Sequence, residues 1–290
     1  MSSEEFVFTD NKLVFNGLAM YTPNSFIGDT LTFTYSETSA FKHFNNEVYL
    51  KAKLRDAEFA FKDIMTFFPS LHKNQFFETN KSEVLKITGN LNGKINSLKG
   101  KKMNLMLGQD LLFKGDFNSR DITRPDQGFL DMQNAYVQTS INTLYELIPG
   151  FKPPDNFKKL GDLVFKGKFY GFFVDFVAYG DLQTDLGRAV MDMTLKIREG
   201  RDKALYSGNL NLENFDLGTW TNNKDLGIVT LKTNVVDGRG LTGDLASAKL
   251  NGTVESFFFK NYNYRNIVLN GQLNNRRFDG QLEILSLIHI

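Results

Sequence analysis

Residues Phe165 to Gly180 read FKGKFYGFFVDFVAYG, five phenylalanines and two tyrosines in sixteen positions. Up to Phe173 the odd positions are Phe165, Gly167, Phe169, Gly171 and Phe173, and the even ones include Lys166 and Lys168. Beyond that the even positions are apolar, Phe172, Val174, Phe176 and Ala178, and Asp175 is odd. Alternation with a period of two marks a strand with one buried face. The apolar face changes sides within the run. Read as one strand, the run needs an extra residue or a bend to do so, and Gly171 suits a bulge.

The same alternation recurs along the chain. In TLTFTYSE, Leu31, Phe33 and Tyr35 oppose Thr30, Thr32 and Thr34. In EVYLKAKLR, Val48, Leu50, Ala52 and Leu54 oppose Tyr49, Lys51, Lys53 and Arg55. In DMTLKIRE, Met193, Leu195 and Ile197 oppose Thr194, Lys196 and Arg198. Each reads as a strand that is apolar on one side and wet on the other. A motif of apolar, any, Gly, any, apolar also repeats, at Gly89, Gly93, Gly115, Gly167, Gly171, Gly208, Gly243, Gly252, Gly271 and Gly280. Glycine between apolar flanks leaves a gap that an aromatic ring can cover and where the backbone can curve. Ten instances point to a repetitive, curved sheet.

Turn spacing of 8–12 residues predicts roughly 20 strands. Open twisted sheets seldom exceed ~10 strands without curling or splitting, so the forms to expect are a long sheet folded on itself, a barrel or a solenoid-like stack. Two short helices are expected. One lies near 63–68, with Asp63 as cap, Ile64, Phe67 and Phe68 as its stripe, and Pro69 as its stop. The other lies near 140–148, with Ser140 as cap, Ile141, Leu144, Tyr145 and Ile148 on one face, and Pro149–Gly150 as its stop. Pro69 and Pro149 stand 80 residues apart, each about twenty residues ahead of a Gly-centred strand, which reads as a degenerate repeat. The linker FKPPDNFKK, with Pro153 and Pro154, separates a segment 1–150 from a segment 151–284.

Basic and acidic residues balance at 34 and 33, so neither a nucleic-acid partner nor an anionic membrane surface is expected. The 28 Phe and 24 Gly against 6 Pro favour twisted β structure. With no Cys there is neither a disulfide nor a cysteine-bound metal. His43, His72 and His289 stand apart and show no metal-ligand spacing. DGRGLTGD makes a formal GxGxxG with Gly238, Gly240 and Gly243, but a dinucleotide fold needs a long helix next. Instead DLASAKLNGTVES leads into another Gly-centred strand, so these glycines read as a hairpin turn. No nucleophile, paired-carboxylate or phosphate-loop motif occurs, and the chain reads as a non-enzyme without a cofactor. MSSEEFVFTD carries acids where a signal peptide would be basic, and no run approaches the ~20 apolar residues of a membrane span.

Two stretches carry a resemblance. GKFYGFFVDFVAYGDLQTDLGRAVMDMTLKI (Gly167–Ile197) resembles the AsmA-like proteins of the TamB, or translocation and assembly module, family. So does Tyr206–Ile284, through FDLG at Phe215–Gly218, the GRGLTGDL turn and YNYRNIVLNG. At varying clarity the likeness covers most of residues 45–284. It implies a mostly β fold: a long, curved, antiparallel-rich sheet forming an open hydrophobic groove, taco-like, with two or three short helices. It implies a periplasmic segment of an inner-membrane-anchored protein acting in outer-membrane biogenesis, protein translocation and phospholipid transport. The partners implied are phospholipid acyl chains and a BamA-like outer-membrane barrel. In the first segment the groove lining would be Leu31 and Phe33, Leu50 and Leu54, and Leu105 and Leu107. In the second it would be Phe165, Phe169 and Phe173, Leu195 and Ile197, then Leu210 and Leu212, Leu231, and Leu269 and Leu273. The chain is short for the family and lacks its anchor and its C-terminal domain, so it reads as an internal fragment. LSLIHI (Leu285–Ile290) breaks the strand pattern and reads as non-native. A β-rich extracytoplasmic binding module and an outer-membrane barrel are the alternatives. The barrel is disfavoured because Thr, Asn and Lys occupy strand faces throughout and Phe falls in mid-strand.

Overall fold

The computed structural model describes residues 1–67, 69–73, 75–121, 127–147, 153–241, 244–275 and 277–284. The fold is mostly β, antiparallel and open. The chain divides into two compact units, Met1–Thr139 with Thr143–Phe151, and Ser140–Asn142 with Lys152–Ile290.

The first unit is an antiparallel meander of β1 (Glu5–Thr9), β2 (Lys12–Tyr21), β3 (Phe26–Thr34), β4 (Tyr49–Ala60), β5 (Val84–Lys94), β6 (Ser97–Leu107), β7 (Leu111–Arg120) and β8 (Phe129–Ser140). The second repeats the plan with β9 (Asp162–Phe172), β10 (Asp175–Thr184), β11 (Gly187–Lys196), β12 (Leu205–Asp216), β13 (Leu226–Arg239), β14 (Ser247–Phe259), β15 (Tyr262–Asn274) and β16 (Arg277–Ile284). Strands follow chain order, and neither meander closes its last strand onto its first. Sixteen described strands replace the roughly 20 expected, because most run 9 to 14 residues, longer than the turn spacing implied.

The aromatic run is a hairpin, not a single bulged strand. β9 ends at Phe172, Phe173 and Val174 form the loop, and β10 begins at Asp175. Across a two-residue loop, paired positions have opposite parity: Phe169 faces Ala178, Gly167 faces Gly180 and Phe165 faces Leu182. Directly opposed residues of an antiparallel pair share a face. The apparent switch of sides is therefore the chain turning round, with the apolar face unchanged. No Gly, Asn or Pro marks the loop, and neither loop residue takes a positive φ.

Short helices interrupt the meander. They are α1 (Phe44–Glu47), α2 (Phe61–Phe67), α3 (Gln75–Thr79), α4 (Ile141–Leu147) and α5 (Leu217–Thr221). α2 and α4 are the two expected helices; Phe68, Ile148, Pro149 and Gly150 fall outside the described residues. α2 follows β4, α4 follows β8 and α5 follows β12, so a helix comes after the fourth, eighth and twelfth strands. Their starts lie 80 residues apart (61 to 141) and then 76 (141 to 217), which extends the expected repeat by one turn. Asp63 does not cap α2. It lies within the first turn and accepts hydrogen bonds from Thr22 Oγ1, Ser25 Oγ (2.7 Å) and Asn24 Nδ2 (3.2 Å), tying α2 to the β2–β3 loop. At the far end of the chain, α5 is capped by Asp216, which accepts from the Thr219 N–H at 2.8 Å. Its C-terminal carbonyls of Thr219 and Trp220 accept from Lys159 Nζ at 2.7 and 3.3 Å.

Candidate functional site

The pairing registers turn single-strand alternation into continuous rows. In the second unit, Phe165, Leu182, Ala189, Leu212, Leu231, Val254 and Ile267 oppose one another in succession from β9 to β15. A neighbouring row runs Phe169, Ala178, Met193, Gly208, Val235, Leu250, Gly271 and Gly280. Neither row holds a polar side chain. The reverse face carries Lys168, Tyr179, Asp192, Asn209, Asn234, Asn251, Asn270 and Gln281, a ladder in which Asn234 Nδ2 donates to Asn209 Oδ1 at 3.0 Å.

The first unit does the same. Phe6, Phe15, Leu31, Ala52, Leu91, Gly100, Phe117 and Met132 form one row, and Phe8, Leu13, Phe33, Leu50, Gly93, Leu98, Ser119 and Leu130 the next. Leu50, Leu54, Ile87, Leu91, Met103 and Phe113 are the centre of one apolar cluster, with Leu31, Phe33 and Leu105 against its margin. Every buried member of that cluster belongs to the sheet itself.

Among the described residues, the backbone of each strand closely approaches its chain neighbours, with only isolated approaches to other strands. Exposure along the rows is mixed. Leu50, Leu54, Leu91, Val235, Val254, Ile267 and Leu269 are buried, as are Ala52, Ala178 and Ala189, whereas Leu31, Phe33, Leu105, Phe165, Phe169, Leu195, Leu210, Leu212, Leu231 and Leu273 are only half-buried. Neighbours on one's own sheet cover the flanks of a side chain, not its tip; a facing layer would cover the tip as well. Helices close the strand ends locally: Phe61 packs with Leu107, Ile64, Phe76, Phe77, Leu85 and Leu111 at one end of β4–β7, and Tyr35, Ala40 and Val48 pack with Leu13, Phe33 and Phe44 at the other end of β2–β4.

The glycines explain the phenylalanines. A Cβ built on Gly167 or Gly180 would lie 3.0 Å from the ring of Phe165, and one on Gly280 would lie 3.0 Å from the ring of Phe278. On Gly100 it would collide with the Phe117 ring. The rings lie over bare backbone, as F-x-G in FKG and FDG requires.

Two expected lining residues sit elsewhere. Phe173 is in the hairpin loop, so it does not continue the face of Phe165 and Phe169. Ile197 lies just past β11, where its N–H bonds the Val174 carbonyl at 2.8 Å. Leu107 keeps the face of Leu105 at the end of β6, where Phe61 packs on it. Conversely, Ala178, Met193, Leu182 and Val254 stand in the rows and were missed, although the alternation of their strands carried the signal. Gly238 lies in β13, Gly240 follows with φ 67°, and the next described element is β14; Gly243 falls outside the described residues. His72 Nδ1 lies 2.6 Å from Glu78 Oε1 on an exposed segment, and His43 ends a separate helical turn. His289 and the tail Leu285–Ile290 fall outside the described residues.

Charge on the polar face is organised by cross-strand pairs. Arg188 forks onto Asp181 at 2.7–3.0 Å and reaches Glu213 at 2.6 Å, joining β10, β11 and β12; these bonds hold the Asp181 carboxyl below its ordinary range. On the apolar face, burial pushes the Tyr206 hydroxyl up, as it should where no charge is accommodated. The chain matches no family model, no curated protein and no solved structure.

Proposed function

We propose that this chain is a periplasmic segment of a TamB-type, AsmA-like envelope protein, and that its apolar sheet faces hold phospholipid acyl chains during outer-membrane biogenesis. The observation that carries this reading is the pairing of two features in each unit: apolar rows that cross the meander, and large side chains in those rows, such as Leu31, Phe33, Phe165, Phe169, Leu212 and Leu231, that stay only half-buried. An apolar face must meet apolar matter. Acyl chains fit because the one hydroxyl in the rows, that of Ser119, is buried and donates to the Leu98 carbonyl at 3.2 Å, and the rows hold no aromatic platform of Trp for a sugar. The role proposed is passive. The rows would shelter hydrocarbon and the polar reverse face would keep the assembly in water, with no bond made or broken. A BamA-like barrel is the partner this reading assigns to the full-length parent.

Native mass spectrometry of the purified chain tests the proposal. It predicts diacyl phospholipid retained by the folded protein and exchangeable with an added fluorescent phospholipid. A folded chain that carries no lipid and takes up none would overturn it.

A further inference from the structure

Four lysines of the polar face are matched to acids on a neighbouring strand. Lys86 meets Glu58 at 2.7 Å, Lys101 meets Asp116 at 2.8 Å, Lys232 meets Glu255 at 2.6 Å and Lys249 meets Asp237 at 2.8 Å. In one place lysines without such a match crowd together. Asn92 on β5 has Lys51 of β4 and Lys99 of β6 directly opposite on its two sides. Lys94 stands two residues along the same strand, and Lys53 is diagonal to Asn92 across β4. Strand spacing places all four within about 8 Å of the Asn92 backbone. All four are exposed, and none has an acidic partner among the described residues.

Like charges at this spacing repel, and at ordinary salt the screening length of about 10 Å does not remove the repulsion. The sequence relieves this elsewhere with Glu or Asp and here interposes a neutral amide. An unmatched cluster of this kind attracts an anionic partner. The four are lysines, not arginines, so they offer diffuse point charges rather than the planar fork that selects one phosphate or carboxylate. They project from three adjacent strands instead of lining a pocket. Tyr49, on the same side of β4 as Lys51 and 41% exposed, adds an amphipathic ring of the kind that settles at a lipid–water boundary.

We propose that this four-lysine patch docks the first unit on the surface of an anionic phospholipid bilayer. Docking through the polar side leaves Leu50, Leu54 and Leu91, on the opposite side of the same strands, unengaged by the membrane. The proposal does not depend on acyl chains occupying the apolar rows, and the two separate cleanly. Binding through the lysines requires anionic lipid and weakens with salt; binding through an apolar face requires neither.

The test is sedimentation of the full chain with vesicles of phosphatidylcholine alone or with 30% phosphatidylglycerol, at low and high salt. Juxtamembrane lysines contribute about 1 kcal/mol each, a factor of about five in partitioning. Lys99→Gln should therefore weaken binding to the anionic vesicles about fivefold. The fourfold Gln variant at positions 51, 53, 94 and 99 should weaken it by more than a hundredfold, and the fourfold Arg variant should keep it. Each substitution lies on the solvated face, and circular dichroism verifies the fold. Equal binding to both vesicle types, a fourfold Gln variant that binds like the parent, or retention on heparin with no vesicle binding would each overturn the proposal, the last in favour of a soluble polyanion.

Discussion

Gly167 has no room for a side chain. A Cβ there would meet the Tyr179 carbonyl and the Gly180 Cα of the partner strand as well as the Phe165 ring at 3.0 Å. The backbone must give way, and overpacking of this kind costs about 1–3 kcal/mol. Gly167→Ala should lower the denaturant midpoint accordingly, while Phe165→Leu, which withdraws the ring, should recover part of the loss in the double variant; additive losses would show that ring and glycine do not interact. F-x-G was legible in the sequence because both partners are two residues apart. The tether on Asp63 was not, because Thr22 and Ser25 lie 41 and 38 residues away. The hydrogen bond from Thr22, then that from Ser25, holds the Asp63 carboxyl below its ordinary value, against a smaller opposing effect of burial. A carboxyl depressed in the fold stabilises it above the unfolded-state pKa and loses that contribution as pH falls through the folded-state value. Removing Asp63 should thus destabilise the chain at pH 7 and do so progressively less as the pH falls below about 4, measured by urea titration of Asp63→Asn across that range. An equal loss throughout would refute the charged tether.

The Phe165–Gly180 hairpin shows where strand reading succeeds and stops. Each half alternates cleanly, so the strands were evident; the turn was not, because Phe173 and Val174 carry none of the residues that usually signal one. A parity switch has two causes, a bulge or a two-residue loop, and local composition alone favoured the bulge at Gly171. Register separates them. If the run is a hairpin, Phe173→Asn with Val174→Gly installs a preferred two-residue turn and should leave stability equal or raised. In a continuous strand the same pair would break the ladder and lower it. Nuclear Overhauser contacts between the Phe169 ring and the Ala178 methyl supply the direct check. The helices follow the same logic. α2 and α4 have long enough apolar stripes to be read, whereas α5 spans five residues held by the Asp216 cap and Lys159, a partner 60 residues distant. Its place after β12 becomes evident only once the four-strand interval is counted.

Each meander of eight strands keeps its apolar residues on one side and its amides and ion pairs on the other, through registers that several bulges adjust without mixing the two. The sequence announced the one-sided strands; how they register into rows depends on pairings it does not encode locally. Phe169 is the most informative position. It is half-buried, it opposes Ala178, and its ring centroid lies 4.8 Å from that of Phe176. An unpaired carboxylate inside a closed core costs several kcal/mol and would unfold the chain, whereas on an uncovered face it can reach water. The deciding measurement is lipid counted by mass spectrometry, with circular dichroism on the same sample, for Phe169→Asp beside Lys168→Asp on the polar face. The account predicts that both variants stay folded, that Lys168→Asp retains the parent's phospholipid, and that Phe169→Asp loses it. An unfolded Phe169→Asp, or a folded one carrying undiminished phospholipid, would contradict the claim that this face is an acyl-chain surface.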